Sequence, residues 1–293
     1  MEKPLVCFIS YNRRGTAATN LKALLDNTKD DFDLCIVDNG STDGIWEYLN
    51  KIKDERIAFK KHFDKNYGGV YAANYGLSKR KKYQPYILLE NDIWIEEPHW
   101  IEKFQKTRDS FPDLGFIGAN TEVALSSVSP SVNNNIKCYY STILGSCTYL
   151  VPELIDLIGY WNEECYGGDN DLNNRILLFT PYKVAYTCEF FIKFRPYVYC
   201  SECVAQKDCP FDGKIPNECC TINYSKLYVN KPFASLALSQ TKEYIDNIKQ
   251  GKCSIYSASI HDEESRKNHQ YNYEAAKKNF DFFNNFTISH QNN

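Results

Sequence analysis

The chain has 293 residues, 43% of them hydrophobic, with a formal net charge of -3. That length can bury a sizeable core and that apolar fraction excludes wholesale disorder, while the small net charge excludes a global basic field for nucleic acid. No apolar run approaches the roughly 18 residues of a membrane span, and Met1 to Ser10 is too short and too strand-like for a signal peptide, so a soluble cytoplasmic protein is expected.

Leu5 to Ile9 reads as a first strand, ending in Ser10-Tyr11-Asn12-Arg13, and Ala17, Leu21, Leu24 and Leu25 follow with helical spacing. Phe32 to Val37 is a second strand that runs into Asp38-Asn39-Gly40-Ser41-Thr42-Asp43-Gly44, after which Ile45, Trp46, Leu49 and Ile52 define another helix. Arg56 to Lys60 is a third strand leading to Asn66-Tyr67-Gly68-Gly69 and a helix to about Arg80. Tyr86 to Leu89 is a fourth, ending in Glu90-Asn91-Asp92. Pro98 opens a helix through Trp100, Ile101 and Phe104, and Leu114 to Gly118 is a fifth strand. Strands alternating with helices imply an α/β fold whose mostly parallel sheet is covered on both faces, with ligands at the carboxyl ends of the strands. The polar loops after the first, second and fourth strands fall on that edge.

A Ser- and Asn-rich loop is expected over 120–135. Strands follow over 139–144 and 147–151, then a short helix from Pro152, a helix over 172–179 and a strand over 183–194. A Cys-rich segment without periodicity precedes a helix from Pro232 to Gly251 and a second one from Asp262 to Phe283. Between the short helix and the 172–179 helix stands Tyr166-Gly167-Gly168-Asp169-Asn170-Asp171. Glycines bring backbone close to a ligand, and two neighbouring carboxylates raise each other's proton affinity, so this turn is a candidate general base.

Taken in order, these loops resemble the landmarks of family-two glycosyltransferases of GT-A fold, over roughly residues 4 to 195. Ile9-Ser10-Tyr11-Asn12-Arg13 looks like the opening strand and turn, and Val37 to Gly44 is similar to the nucleotide-binding Asp-Asp/Asn-Gly-Ser-Thr-Asp-Gly segment. Asn66-Tyr67-Gly68-Gly69 through Asn74-Tyr75-Gly76-Leu77 resembles the Asn-x-Gly helix start. Glu90-Asn91-Asp92 falls at the Asp-x-Asp-type metal motif, and Gly168-Asp169-Asn170-Asp171 at Glu-Asp-x-Asp. The resemblance implies an inverting transfer of one sugar from a nucleoside-diphosphate sugar, UDP-linked, to an acceptor hydroxyl. Asp169 would be the base, with Asp171 orienting the turn or a neighbouring basic group. Tyr11, Arg13, Asp38, Asn39, Asn66, Gly69 and Asn91 would contact the nucleotide sugar, and Asp92 with Glu90 would hold Mn²⁺ or Mg²⁺, hard cations that take oxygen ligands.

The family commonly ends the strand after its catalytic turn in a metal-site histidine, where this chain reads Ile192-Lys193-Phe194-Arg195. Either another ligand substitutes, or Lys193 or Arg195 supplies positive charge to the leaving diphosphate. Cys200-x-x-Cys203 with Cys209 and Cys219 has the makings of a structural Zn²⁺ site, against the alternatives of a loop of reduced thiols or, in an exported protein, disulfides. The expected organisation is a GT-A, Rossmann-like catalytic domain over 1–198, a Cys-rich insertion over 199–222 and a C-terminal helical extension over 223–293, whose aromatics suit packing on the catalytic domain or a homo-oligomer contact. The competing functions are a nucleotidyltransferase and a non-catalytic sugar-nucleotide-binding module that holds a partner protein.

Overall fold

A computed structural model describes residues 2–121, 129–196, 198–208 and 231–291, with the side chains of 208, 231–236 and 286–291 left aside. Four strands form the parallel half of one ten-stranded sheet: β1 (Leu5–Ser10), β2 (Asp33–Asp38), β3 (Ile57–His62) and β4 (Tyr86–Glu90), in the order β3-β2-β1-β4. Helices α1 (Arg14–Asn27), α2 (Ile45–Lys51) and α3 (Gly69–Leu77) are their connections. β1, β2 and β4 are near-continuous apolar runs because both of their faces are covered; Leu5, Phe8, Leu34, Ile36, Ile87 and Leu89 are all fully buried.

Beyond β4 the sheet continues as β9-β6-β10-β8-β7. Here β6 (Leu114–Thr121) follows β5 (Ile93–Trp94) and α4 (Trp100–Ser110), while β7 (Ser131–Asn133), β8 (Ile136–Tyr140) and β9 (Cys147–Leu150) follow in the chain. β9 runs antiparallel to both β4 and β6, with Leu89 opposite Cys147. The loop just before β9 therefore arrives beside the carboxyl end of β4, where Glu90 donates its N–H to the Ser146 carbonyl at 2.9 Å. After α5 (Pro152–Ile158) and α6 (Gly168–Phe179), the long β10 (Lys183–Phe194) pairs parallel with β6 and antiparallel with β5. Its far end reaches the same edge, since Arg195 N–H donates to the Asp92 carbonyl at 2.6 Å.

The C-terminal part forms α7 (Lys231–Lys249), α8 (Glu263–Asn268) and α9 (Tyr273–Gln291). The single helix expected over 262–283 is thus two. Each has its own cap: Asp262 Oδ1 accepts from Ser265 N at 3.0 Å and Asn272 Oδ1 from Ala275 N at 3.1 Å. Helical periodicity carried across the break concealed the second cap.

His261 anchors this part on α3. Its ring lies among Phe63, Tyr71 and Tyr75, and burial pushes its pKa down to about 4, with Lys79, Lys61 and Arg266 acting the same way and the Tyr71 carbonyl opposing. The folded protein holds it neutral, whereas the unfolded chain takes up a proton below about 6.5. Stability is therefore expected to fall as pH drops from about 6.5 towards 4, by up to about 3 kcal/mol from this group. Urea midpoints across that range should fall less steeply for His261→Phe; parallel curves would remove the assignment.

Candidate active site

The loops at the carboxyl ends of β1 and β2 are bound to each other before they meet any ligand. Asn12 donates its N–H to Ser41 Oγ at 2.7 Å and accepts from Thr42 N at 2.9 Å. Arg13 holds a left-handed backbone (φ 57°) that turns the chain into α1. Asp38 is fully buried and accepts from the Ser41 hydroxyl, from Ser41 N at 3.2 Å and from His62 Nδ1 at 2.6 Å. Burial raises its pKa, against the lowering effect of those donors. The His62 ring in turn stacks on Trp46, with centroids 5.1 Å apart.

Asn39 ties this edge to the loop before α3. Its Nδ2 donates to Asn66 Oδ1 at 2.9 Å and to the Gly68 carbonyl at 3.1 Å, and its Oδ1 accepts from Tyr67 N at 3.2 Å. Gly68 has φ 92°, and a Cβ there would meet the Phe283 ring at 2.5 Å, so this position requires glycine on both counts. The neighbouring Gly69 is exposed on the cavity wall.

Glu90, Asp92 and Asp169 lie near enough below for the charges of the two aspartates to act on Glu90. Arg13 Nη1 donates to Asp92 Oδ2 at 3.0 Å, and Asp92 is fully buried. Its other oxygen, Oδ1, is buried with no hydrogen-bond partner among the described residues. Glu90 is pushed up to about 8, first by burial and then by the charges of Asp92 and Asp169, with Arg13 opposing. Among the described residues these three carboxylates do not bring one oxygen each within 4.8 Å of one another, so the unpartnered Asp92 Oδ1 offers a single oxygen ligand of the kind a hard divalent cation takes. Asn91 is buried, its carbonyl accepting from Asn20 Nδ2 at 2.8 Å. Of the two basic residues suggested for the missing histidine, Lys193 pairs with Glu96 at 2.7 Å and Arg195 with Glu202 at 2.7 Å; the guanidinium on Asp92 belongs to Arg13.

Asp169 sits in the first turn of α6, on the wall of a cavity of about 550 Å³ that also takes in Glu90, Tyr67, Tyr71, Trp161 and Phe283. Its two oxygens have separate donors: Gly145 N at 2.8 Å to Oδ2 and the Trp161 indole Nε1 at 3.1 Å to Oδ1. Both donors are themselves fixed. Asn173 of α6 bonds both the N–H and the carbonyl of Ile143, which places Gly145. Asn74 of α3 bonds both the N–H and the carbonyl of Trp161. Burial raises the Asp169 pKa, countered by Gly145 and Trp161.

Asp171 is placed differently. It is fully buried, its Oδ2 accepts from Arg175 Nε at 2.9 Å, and Arg175 spends its remaining donors on the carbonyls of Ile158, Tyr160 and Ile255. Asp169 thus stands on the cavity, and Asp171 pins α6 from beneath. The structure brings together on one sheet edge Tyr11, Arg13, Asp38, Asn39, Asn66, Gly69, Glu90, Asn91 and Asp92, with Asp169 facing Glu90 across the cavity. Sequence reasoning singled out Asn74 only as part of a landmark and gave no role to it or to Gly145, Trp161 and His62; a polar Asn within the otherwise apolar α3 was the available signal for the first. Of the cysteines, Cys200 and Cys203 are half-buried, and Cys209 and Cys219 lie outside the described residues.

Among the described residues, the three side chains that bring ligand atoms within 4.8 Å of one another are Asp30, His99 and Glu102, at the amino end of β2. Asp30 Oδ2 accepts from Ile101 N at 2.8 Å and Glu102 N at 3.3 Å, which makes it the cap of α4, at the end of the sheet opposite Asp38.

Known proteins resemble this chain in sequence over its first half and in fold. Residues 5–147 match the sequence profile of Glycosyl transferase family 2. An Escherichia coli protein described as UDP-Glc:alpha-D-GlcNAc-diphosphoundecaprenol beta-1,3-glucosyltransferase WfaP is 31% identical over 96 residues, which is 32% of this chain and 38% of that protein. In structure, the chain is similar to S. aureus TarS 1-349 in complex with UDP (TM-score 0.51, 14% identity, 99% of this chain and 92% of that one). It is also similar to the mannosyltransferase PcManGT from Pyrobaculum calidifontis in complex with GDP-Man and Mn2+ (TM-score 0.50, 15% identity, 64% and 57%). At these identities the solved structures establish the GT-A fold.

Proposed function

We propose, from the match of residues 5–147 to the Glycosyl transferase family 2 profile and from the GT-A fold, that this chain is an inverting glycosyltransferase that moves one sugar from a UDP-sugar to an acceptor hydroxyl. The observation that carries this reading is the single cavity in which Asp169 faces Glu90, with Asp92 and Arg13 behind it. The acceptor hydroxyl attacks the anomeric carbon as the bond to the diphosphate breaks, and its proton passes to Asp169. Burial keeps that carboxylate more basic than an ordinary aspartate, which suits a general base. Trp161 and Gly145 hold it on the acceptor side. Arg13, Tyr11 and the loop of Asp38 and Asn39 receive the nucleotide. Asp92 Oδ1 and Glu90 would hold a divalent cation, which offsets the charge developing on the leaving diphosphate.

The choice of UDP rests on relatives whose descriptions name UDP-Glc, UDP-GlcNAc and UDP. A thermal-shift panel of UDP-, GDP- and dTDP-sugars, each with and without Mn²⁺, tests it. A UDP-sugar at about 100 times its Kd should stabilise the protein by about 2.7 kcal/mol, and more weakly without the metal. A larger shift with a GDP-sugar would replace UDP. No shift with any nucleotide sugar would reject the proposed function.

A further inference from the structure

Resting on that reading, we propose that Glu163 is a positioning residue through which the C-terminal helices hold Trp161, and so Asp169, in its working place. Glu163 is 2% exposed, yet its carboxylate is saturated with donors. Oε1 accepts from Asn74 Nδ2 at 2.9 Å and Ser259 Oγ at 2.6 Å. Oε2 accepts from Ile260 N at 2.9 Å and Tyr271 OH at 2.6 Å. Its own carbonyl accepts from Asn279 Nδ2 at 2.7 Å. Four of these five donors come from residues about a hundred positions downstream.

The same Asn74 amide that donates to Glu163 also donates to the Trp161 carbonyl, while its oxygen accepts from Trp161 N. Three groups thus share one side chain: the C-terminal segment through Glu163, helix α3, and the residue that presents an indole N–H to Asp169. Asn279 lines the cavity alongside Phe280 and Phe283, so the clamp also sets that part of the cavity wall. A buried carboxylate used only to fasten a helix would have no need of the residue that fastens Trp161. Misplacing a catalytic group by about an ångström is enough to cost up to roughly 100-fold in rate.

Glu163→Gln is the sharpest probe. The Ser259 and Tyr271 hydroxyls can turn to accept from the new amide, but Asn74 Nδ2 and Ile260 N cannot, so one of them must lose its partner whichever way the amide lies. With UDP-glucose and UDP-GlcNAc as donors and UDP release as the assay, Glu163→Gln is expected to lower kcat about 10-fold with donor KM within about 2-fold. Tyr271→Phe, which removes one donor and touches neither Trp161 nor Asp169, should give a smaller loss of the same kind and serves if Glu163→Gln does not fold. A cycle with Trp161→Phe decides the route. If Glu163 acts through Trp161, Glu163→Gln, or Tyr271→Phe in its place, costs little further once the indole N–H is gone. Full additivity, or an unchanged kcat in folded variants, overturns the proposal. Asp169→Asn assayed alongside separates the two levels: if it stays active the base assignment fails, and if only it is inactive the positioning role fails alone.

Discussion

Asp169→Asn is expected to lower kcat for sugar transfer by about 10³-fold, within the usual range for removing a general base. The substitution is nearly isosteric, so the fold and the nucleotide loops should survive it. Locally it is less benign, because both partners of the carboxylate, Gly145 N and the Trp161 indole, are donors only. The amide can satisfy one of them and must turn its NH₂ towards the other. A modest loss of stability, about 1–3 kcal/mol, should therefore accompany the loss of rate. Donor binding should change little, since Asp38, Asn39, Arg13 and Asp92 stand at the ends of β1, β2 and β4 and not on α6. Initial rates of UDP release with acceptor, paired with UDP-sugar thermal shifts, check this. A variant retaining more than a tenth of wild-type kcat would move the base elsewhere.

The second large effect is on stability. Arg175→Met leaves the Asp171 carboxylate fully buried without its cation, and strips the carbonyls of Ile158, Tyr160 and Ile255 of their donor. Breaking a buried pair from one side costs about 3–5 kcal/mol, so a fall in Tm on the order of 10 °C is expected. Urea unfolding measures it directly. Per folded molecule, kcat should stay within a few-fold of wild type, because neither residue touches the cavity. A loss of kcat comparable to that of Asp169→Asn, in protein shown to be folded, would return Asp171 to the chemistry.

Much of this is legible in the amino-acid sequence. Strands that are apolar along their whole length announce a sheet covered on both faces, and the polar loops at their carboxyl ends locate the ligand edge, because both are properties of a few consecutive residues. Asp169 stood out through its place in an ordered series of such loops. The division between Asp169 and Asp171 was only half visible: Arg175 lies four positions on from Asp171, a spacing that puts the two on one helix face, but burial decides that they pair. Trp161, Asn74 and Glu163 were not legible in their roles. Their partners are far away in the chain, Ser259 and Tyr271 for Glu163, and no local period encodes such a contact. The break at Asn272 escaped for the opposite reason, a local cap hidden inside a longer-range pattern.

The seating of Phe283 over Gly68 bears on the order in which the protein comes into being. The Glycosyl transferase family 2 match ends at residue 147, and the four parallel strands β3-β2-β1-β4 within it can pair early in synthesis. The cavity wall opposite them, however, is supplied by Asn279, Phe280 and Phe283. A nascent chain can therefore own its nucleotide loops and its acids long before it owns a closed pocket. On the proposed function, sugar transfer is expected only once residues 279–283 have docked and the pocket is closed.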